Sequence, residues 1–479
     1  MRDASRTMVV LAGCVVVMSV SCALARTSYK RVDVYTTARD TNDRLTPHNP
    51  LTFQFLPQPD ESHPAIMLDP SKTFQVIEGF GGALTDAAAE TYYRMPEKSR
   101  REILNAYFNP ETGIGYSLCR THINSCDFSS EGYAYADVPG DTNLEHFSIE
   151  HDRQFRIPFI KEALAVSGNG FKLFASPWSP PAWMKTNNDM LHGGVLRPEC
   201  RQTWADYFVR FIRAYEKEGI PIWGVTVQNE PMAVQRWESC IFSASDERDF
   251  VRDYLGPTFE RSGLSKAAII IWDHNRGIMY QRAKTVYDDG RASKYVWGMA
   301  FHWYVGDHFD NVRLVHDAYP DKKLLFTEGT PGSFDGERLA DWQWGETYAR
   351  SMFNDLNNWA VGWVDWNVIL NERGGPNHTG NYCMATVIAD TATGTITYTN
   401  SYYYIGHFSK FIRPGARRIV CSSNLDDFLA TAFLNPDETV AVVVMNPKDR
   451  PVKFRVWIDG KAAAATSPAR SIMTLVLKP

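Results

Sequence analysis

Eight times between residues 74 and 367 an apolar, β-branched or aromatic run stops at polar residues and gives way to a segment of helical spacing. The runs are "FQVIEGFGG" (74–82), "GYSLCRTHINS" (115–125), "FKLFASPW" (171–178) and "PIWGVTVQNE" (221–230). They continue with "AAIIIWDH" (267–274), "YVWGMAFHWY" (295–304), "KKLLFTEG" (322–329) and "AVGWVDWN" (360–367). Between them lie stretches such as 201–219, where Trp204, Phe208, Phe211, Ile212 and Tyr215 fall on one helical face and Gly219 marks the stop. Strand alternating with helix eight times predicts an α/β fold, a (β/α)8 barrel.

A barrel collects its active groups at the C-terminal ends of its strands. The residues closing the runs are Asp127, Trp178, Asn229, Glu230, His302, Trp303, Tyr304, Glu328, Asp365, Trp366 and Asn367. They would share one mouth, although spread over half the sequence. Glu230 and Glu328 end the fourth and seventh strands, and each closes an apolar run. Glycoside hydrolysis needs two such carboxyl groups, one to protonate the leaving oxygen and one to attack the anomeric carbon. Asn229 is placed to hydrogen-bond a sugar 2-hydroxyl. Pro231 fixes the backbone past the acid, and Gly329 permits a sharp exit past the nucleophile. Taken singly, either Glu reads as a solvated loop residue.

From about residue 411 the helical spacing ends. Short strand-like runs follow between turn signals such as "NPDE" and "NPKDRP", the pattern of a β-sandwich. Segment 30–75 is also strand-like. The expected layout is a signal peptide at 1–25, sandwich strands at 26–75, the catalytic barrel at 76–410 and further sandwich strands at 411–479.

The leader rests on Arg2, Arg6, the run "MVVLAGCVVVMSV" and the small residues of "CALA". It directs the chain to the secretory route, towards a lysosome-like compartment or the outside of the cell. Six cysteines remain beyond it: Cys119, Cys126, Cys200, Cys240, Cys383 and Cys421. Their pairing is open. A net charge of -5 gives no footprint for nucleic acid. The Cys and His spacings match no metal site, so no metal and no cofactor is expected. "GFGG" opens a barrel strand, not a nucleotide-binding helix. The sequon at Asn377 lies on a loop at the mouth, where a glycan would crowd the entrance, so it is expected to stay unmodified.

The residues "EGFGGALTDAAA", "SCDFS", "ASPWSPPAWMKTN", "VTVQNEP", "HWY", "VGWVDWN", "GGPN" and "GHFSKFI" occur in this order between 78 and 412. With them the chain resembles glycoside hydrolase family 30, and within it the glucosylceramidases. The resemblance implies a barrel with an accessory all-β sandwich. It implies that Glu230 is the acid/base and Glu328 the nucleophile. It places Asp127, Trp178, Asn229, Trp366 and Asn381 around the glucose, with His302 and Tyr304 lining the site. It implies retaining hydrolysis of the β-glucosyl bond of glucosylceramide, peripheral contact with a membrane surface and a lipid-presenting activator protein as partner. A family relative cutting β-1,6-glucan or xylan is the alternative enzyme, and a carbohydrate-binding pseudoenzyme the alternative of another class. Departures from the family fall at Asn275, His378 and Gly380, all at the rim. Close carboxyl groups repel as anions, so Glu230 is expected to hold its proton, Tyr304 to favour the Glu328 anion, and activity to peak on the acid side of neutral.

Overall fold

The computed structural model of the protein describes residues 28–479. The leader assigned to 1–25 lies outside them. Four strands precede the barrel: β1 (Arg31–Ala38), β2 (Thr46–Thr52), β3 (Gln54–Phe55) and β4 (Ala65–Val76). The barrel strands are β5 (Gly79–Ala83), β6 (Leu118–Ile123), β7 (Lys172–Pro177), β8 (Ile222–Thr226), β9 (Ala268–Asn275), β10 (Val296–His302), β11 (Lys323–Glu328) and β12 (Ala360–Asn367). All eight are parallel, and β12 closes onto β5. Each of the eight runs read from the sequence contributes one strand.

The first run divides between two domains. Phe74–Val76 finish β4, while Gly79 begins β5. No loop separates them, because the two bridging residues are tied down. The Ile77 N–H donates to Ala416 O at 2.8 Å and the Glu78 N–H to Val361 O at 2.7 Å. "GFGG" has a steric purpose here. A Cβ at Gly81 would stand 1.8 Å from the Leu118 carbonyl oxygen, so only glycine lets β5 approach β6. The helix expected over 201–219 runs Arg201–Lys217 and buries Trp204, Phe208, Phe211, Ile212 and Tyr215. Gly219 follows it at φ 81°, a conformation glycine adopts without a Cβ penalty.

After a small sheet of β13 (Leu370–Asn371), β14 (Val387–Ala389) and β15 (Ile396–Tyr398), six strands complete the second domain. They are β16 (Arg417–Ser423), β17 (Leu429–Leu434), β18 (Val440–Asn446), β19 (Val452–Ile458), β20 (Lys461–Ser467) and β21 (Ser471–Lys478). They interleave with β1–β4 in the order β2-β1-β21-β18-β17-β16-β4-β19-β20-β3. β1 pairs with β21 along its whole length, from Arg31 with Lys478 to Ala38 with Ser471. β4 lies between β16 and β19. The sheet folds over its own core of Val32, Val34, Ile66, Val442, Val456, Leu475 and neighbours.

Inside the barrel, side chains alternate between lumen and helices. The lower lumen is apolar: Leu118, Phe174, Ile270, Ala300, Leu325 and Val364 meet there. Trp223 and Trp297 pack beneath them, edge to face at 4.9 Å. A fully buried side chain of this size contributes about 1.5–3 kcal/mol. One layer higher the lumen changes character.

Candidate active site

Two residues beyond Leu118 on the same face of β6 comes Arg120, fully buried. Its Nε–H donates to Ser176 Oγ at 3.0 Å, one NH2 group to Glu328 Oε2 at 2.6 Å, and the other to Asp273 Oδ2 at 2.7 Å and Asn229 Oδ1 at 2.9 Å. Asp273 also accepts from Thr226 at 2.7 Å and Thr327 at 2.6 Å, and faces His302 Nε2 at 3.0 Å. Burial opposes the charge of Asp273, but Arg120, His302 and Thr327 outweigh it and hold the carboxyl well below its usual range. This ionic layer is the floor on which the two glutamates stand.

Glu328 closes β11. Arg120 donates to one of its oxygens, and the Tyr304 hydroxyl donates to the other at 2.8 Å. Both contacts suit a carboxylate that must attack as an anion. Gly329 makes the exit from β11 without entering left-handed backbone. Its need is steric: a Cβ would meet rings of Phe326 and Trp303 at 2.8 Å.

Glu230 follows β8 with φ 45°, left-handed backbone that costs a non-glycine residue about 1–3 kcal/mol. Its N–H donates to Asp273 O at 3.0 Å, and its carbonyl accepts from the Ala233 N–H at 2.9 Å. Opposite it on β9, Trp272 and Asp273 are also left-handed, at φ 75° and 54°. The paired kinks bring His274 to the Glu230 carboxyl. His302 Nδ1 lies 3.2 Å from Glu230 Oε1 and His274 Nδ1 lies 3.5 Å from it.

These imidazoles act against the expectation that Glu230 keeps its proton. Burial favours the neutral acid, but His274 and His302 outweigh it and hold Glu230 well below the usual carboxyl range. The charged form of His302 is favoured in turn. Burial works against that charge, yet Glu328, Asp273 and Glu230 together push the imidazole up to about 9. Glu230 and His302 therefore titrate as a pair across a contact of 3.2 Å.

Asp127, Trp178, Asn229, Glu230, Tyr304, Glu328, Trp366 and Asn381 line one cleft of about 350 Å³. Asn229 gives its carbonyl oxygen to Arg120, which leaves its NH2 to donate into the cleft. Asn381 Nδ2 donates to Asp127 at 2.8 Å. Burial, opposed by that bond and reinforced by Glu328, Glu238 and Glu230, pushes Asp127 up to about 7. Trp178 and Trp366 stack on each other at 5.3 Å with the Arg120 guanidinium over both rings. They are 2% and 4% exposed, so little of either face is left for a sugar. Asn275 accepts from the Tyr304 N–H at 2.7 Å at the rim. Asn377 is buried, and its carbonyl oxygen accepts from the N–H groups of Thr379 and Asn381, which organises the loop that carries Asn381.

Four residues of the expected mouth are not on the cleft wall. His302 is fully buried behind Glu230, where it supports the acid rather than touching a sugar. Trp303 turns outward onto Phe326, Tyr348 and Trp363. Asp365 accepts from Tyr348 at 2.7 Å on the helix side, and Asn367 accepts from Thr85. Strand alternation explains 365 and 367: with Trp366 facing in, its neighbours face out.

Profiles of two domains match the chain: the glycosyl hydrolase family 30 TIM-barrel domain over residues 77–412 and the family 30 beta sandwich domain over 415–475. The chain belongs to glycoside hydrolase family 30. Putative glucosylceramidase 4 of Caenorhabditis elegans is 37% identical over 86% of this chain and 83% of its own length. Lysosomal acid glucosylceramidase of Mus musculus is 36% identical over 82% and 79%. Among solved structures, SrfJ from Salmonella typhimurium superposes with a TM-score of 0.90 at 36% identity, over 94% of this chain and all of that one. An endo-β-1,6-glucanase superposes at 0.85 with 31% identity, again over 94% of this chain and all of that one.

Within this family 30 barrel the residues that reasoning from sequence passes over are Arg120, Asp273, His274, Thr226 and Thr327. Arg120 left a usable signal, a permanent cation in the middle of the strand-like run "YSLCRTHI". Thr226 and Thr327 left none, since threonine is ordinary in strands. The six cysteines among the described residues are all free thiols, five of them buried.

Proposed function

We propose that this glycosidase is a retaining β-glucosidase acting on glucosylceramide, with Glu328 as nucleophile and Glu230 as acid/base. The observation that carries this reading is the unlike setting of the two carboxyl groups in one cleft. Glu328 receives two donors, Arg120 and Tyr304. Glu230 faces the proton held by His302. In the first step Glu328 attacks the anomeric carbon while that proton passes through Glu230 to the leaving oxygen. In the second, ionised Glu230 takes a proton from water, which attacks the glycosyl ester and releases glucose.

An apolar aglycone is supported by the rim. Met232, Val234, Ile278, Tyr304, Val305 and Tyr382 are large apolar or aromatic residues left exposed on the loops after β8, β9, β10 and β12. Such a surface suits shallow contact with a lipid layer, where an activator protein would present the substrate. Among the described residues no helix is long and apolar enough to cross a membrane. We place the enzyme on the secretory route, in a lysosome-like compartment or outside the cell, in line with the lysosomal mouse relative.

The second reading, a β-1,6-glucanase, is favoured by the likeness to that endo-glucanase. Purified protein given glucosylceramide in mixed micelles and, separately, β-1,6-glucan decides between them. The expected result is a higher kcat/KM on the lipid, with β-glucose the first anomer seen by proton NMR. Faster cleavage of the glucan would favour the second reading. Turnover of neither would leave a binding protein.

A further inference from the structure

We propose that Glu230, His274 and His302 form a site for a divalent transition cation of the Zn2+ class, and that filling it disables the acid/base carboxyl. The three ligand atoms, one carboxylate oxygen and one nitrogen from each imidazole, lie within 4.8 Å of one another. Two edges of the triangle are given directly, 3.2 Å and 3.5 Å. Tetrahedral zinc with bonds of about 2.0–2.2 Å sets ligand–ligand edges of about 3.3–3.5 Å. The two edges that meet at Glu230 already have the spacing the ion needs.

Two further observations point the same way. His302 Nε2 faces Asp273 at 3.0 Å, and Asp273 is anchored by Arg120, Thr226 and Thr327. A carboxylate behind a histidine is the arrangement that fixes a ligating imidazole and turns its other nitrogen to a metal. His274 Nδ1 is buried and makes no well-formed hydrogen bond, its nearest acceptor being Glu230 Oε1 at 3.5 Å, an uncommon condition for a polar atom. A cation would satisfy it. His274 also lines the cleft, which leaves a fourth position open to water. Two histidines, one glutamate and an open position form a known donor set for zinc.

No spacing rule in the sequence shows this site, because its ligands come from the ends of three neighbouring strands, β8, β9 and β10. The other cluster of similar composition, Asp86, His151 and Asp152, differs in kind. The Arg156 guanidinium already pairs with both of its aspartates.

The test is isothermal titration of the full chain with ZnCl2, in parallel with hydrolysis of an aryl β-glucoside. One ion per chain should bind, and activity should fall and return with EDTA. His274→Asn should weaken binding by about tenfold or more. Glu230→Gln should weaken it independently of activity. Co2+ added to wild-type protein should give the intense visible bands of tetrahedral cobalt, and these should disappear in His274→Asn. Zinc binding that is equal in wild type and both variants would overturn the site. So would a wild-type chain that binds neither ion.

Discussion

The lower and upper halves of the barrel lumen are built by the same eight strands and differ in almost every physical respect. Below, Leu118, Phe174, Ile270, Leu325 and Val364 fill the space by shape alone. Two residues further along the same faces, Arg120, Ser176 and Thr327 replace them and bring fixed charge and hydrogen bonds. The lower half gains from burial and is indifferent to pH. The upper half takes on the cost of desolvated ions and holds two glutamates among unlike partners. The lesson is that a barrel strand can serve stability at its start and chemistry at its end, with a register step of two residues between them.

The largest break of this contrast is Glu328→Gln. It removes the attacking oxygen and leaves the lower lumen intact. Activity should fall by about 10⁴-fold or more, and a fluorinated glucoside inactivator should no longer label the protein. Labelling that persists would move the nucleophile elsewhere.

Arg120→Leu tests the floor itself. Asp273 and Glu328 lose their shared cation, and breaking a buried pair in this way costs about 3–5 kcal/mol. The sign of the pH dependence should change too. In the wild type Asp273 is held below its unfolded range, so its contribution is full above about pH 4 and is lost as pH falls further. Without Arg120 its desolvation dominates and its folded pKa rises. The variant should then lose stability as pH rises from about 4 towards neutral. Urea unfolding at several pH values checks both.

His302→Asn separates the shared proton from the carboxyl. In the wild type the last proton of the pair leaves near the value of about 9 held by His302. In the variant it must rest on Glu230, a carboxyl with an ordinary value of about 4.3. The alkaline limb of kcat/KM should move to lower pH by more than about one unit. An unmoved limb would mean that the proton belongs to another group.

Ile270→Val is the small control from below. It removes one methylene from the apolar half and should cost about 0.5–1.5 kcal/mol. The shape of the pH–stability curve should stay as it was.

The sequence carried the lower half well and the upper half unevenly. Period and length marked every barrel strand, because an apolar run needs only its own residues to be read. Glu230 and Glu328 were legible as charges closing such runs. What was hidden is pairing across strands. Nothing near Glu230 in sequence announces that His274 and His302 will lie against its carboxyl, so the expectation weighed only the repulsion between the two glutamates. The same holds for Trp178 and Trp366, whose stacking on each other follows from closure of the barrel and not from either neighbourhood.

The pairing of β1 with β21 has a consequence in time. Arg31 leaves the ribosome early and Lys478 late, yet they are neighbours. At the ordinary pace of synthesis the first strand waits about 20–90 s for its partner. During that interval the barrel can close, while β1 has only β2 beside it and its other edge stands open. The sandwich is thus the last part to assemble. A chain released before residue 471 would carry a complete mouth above an unfastened, adhesive edge.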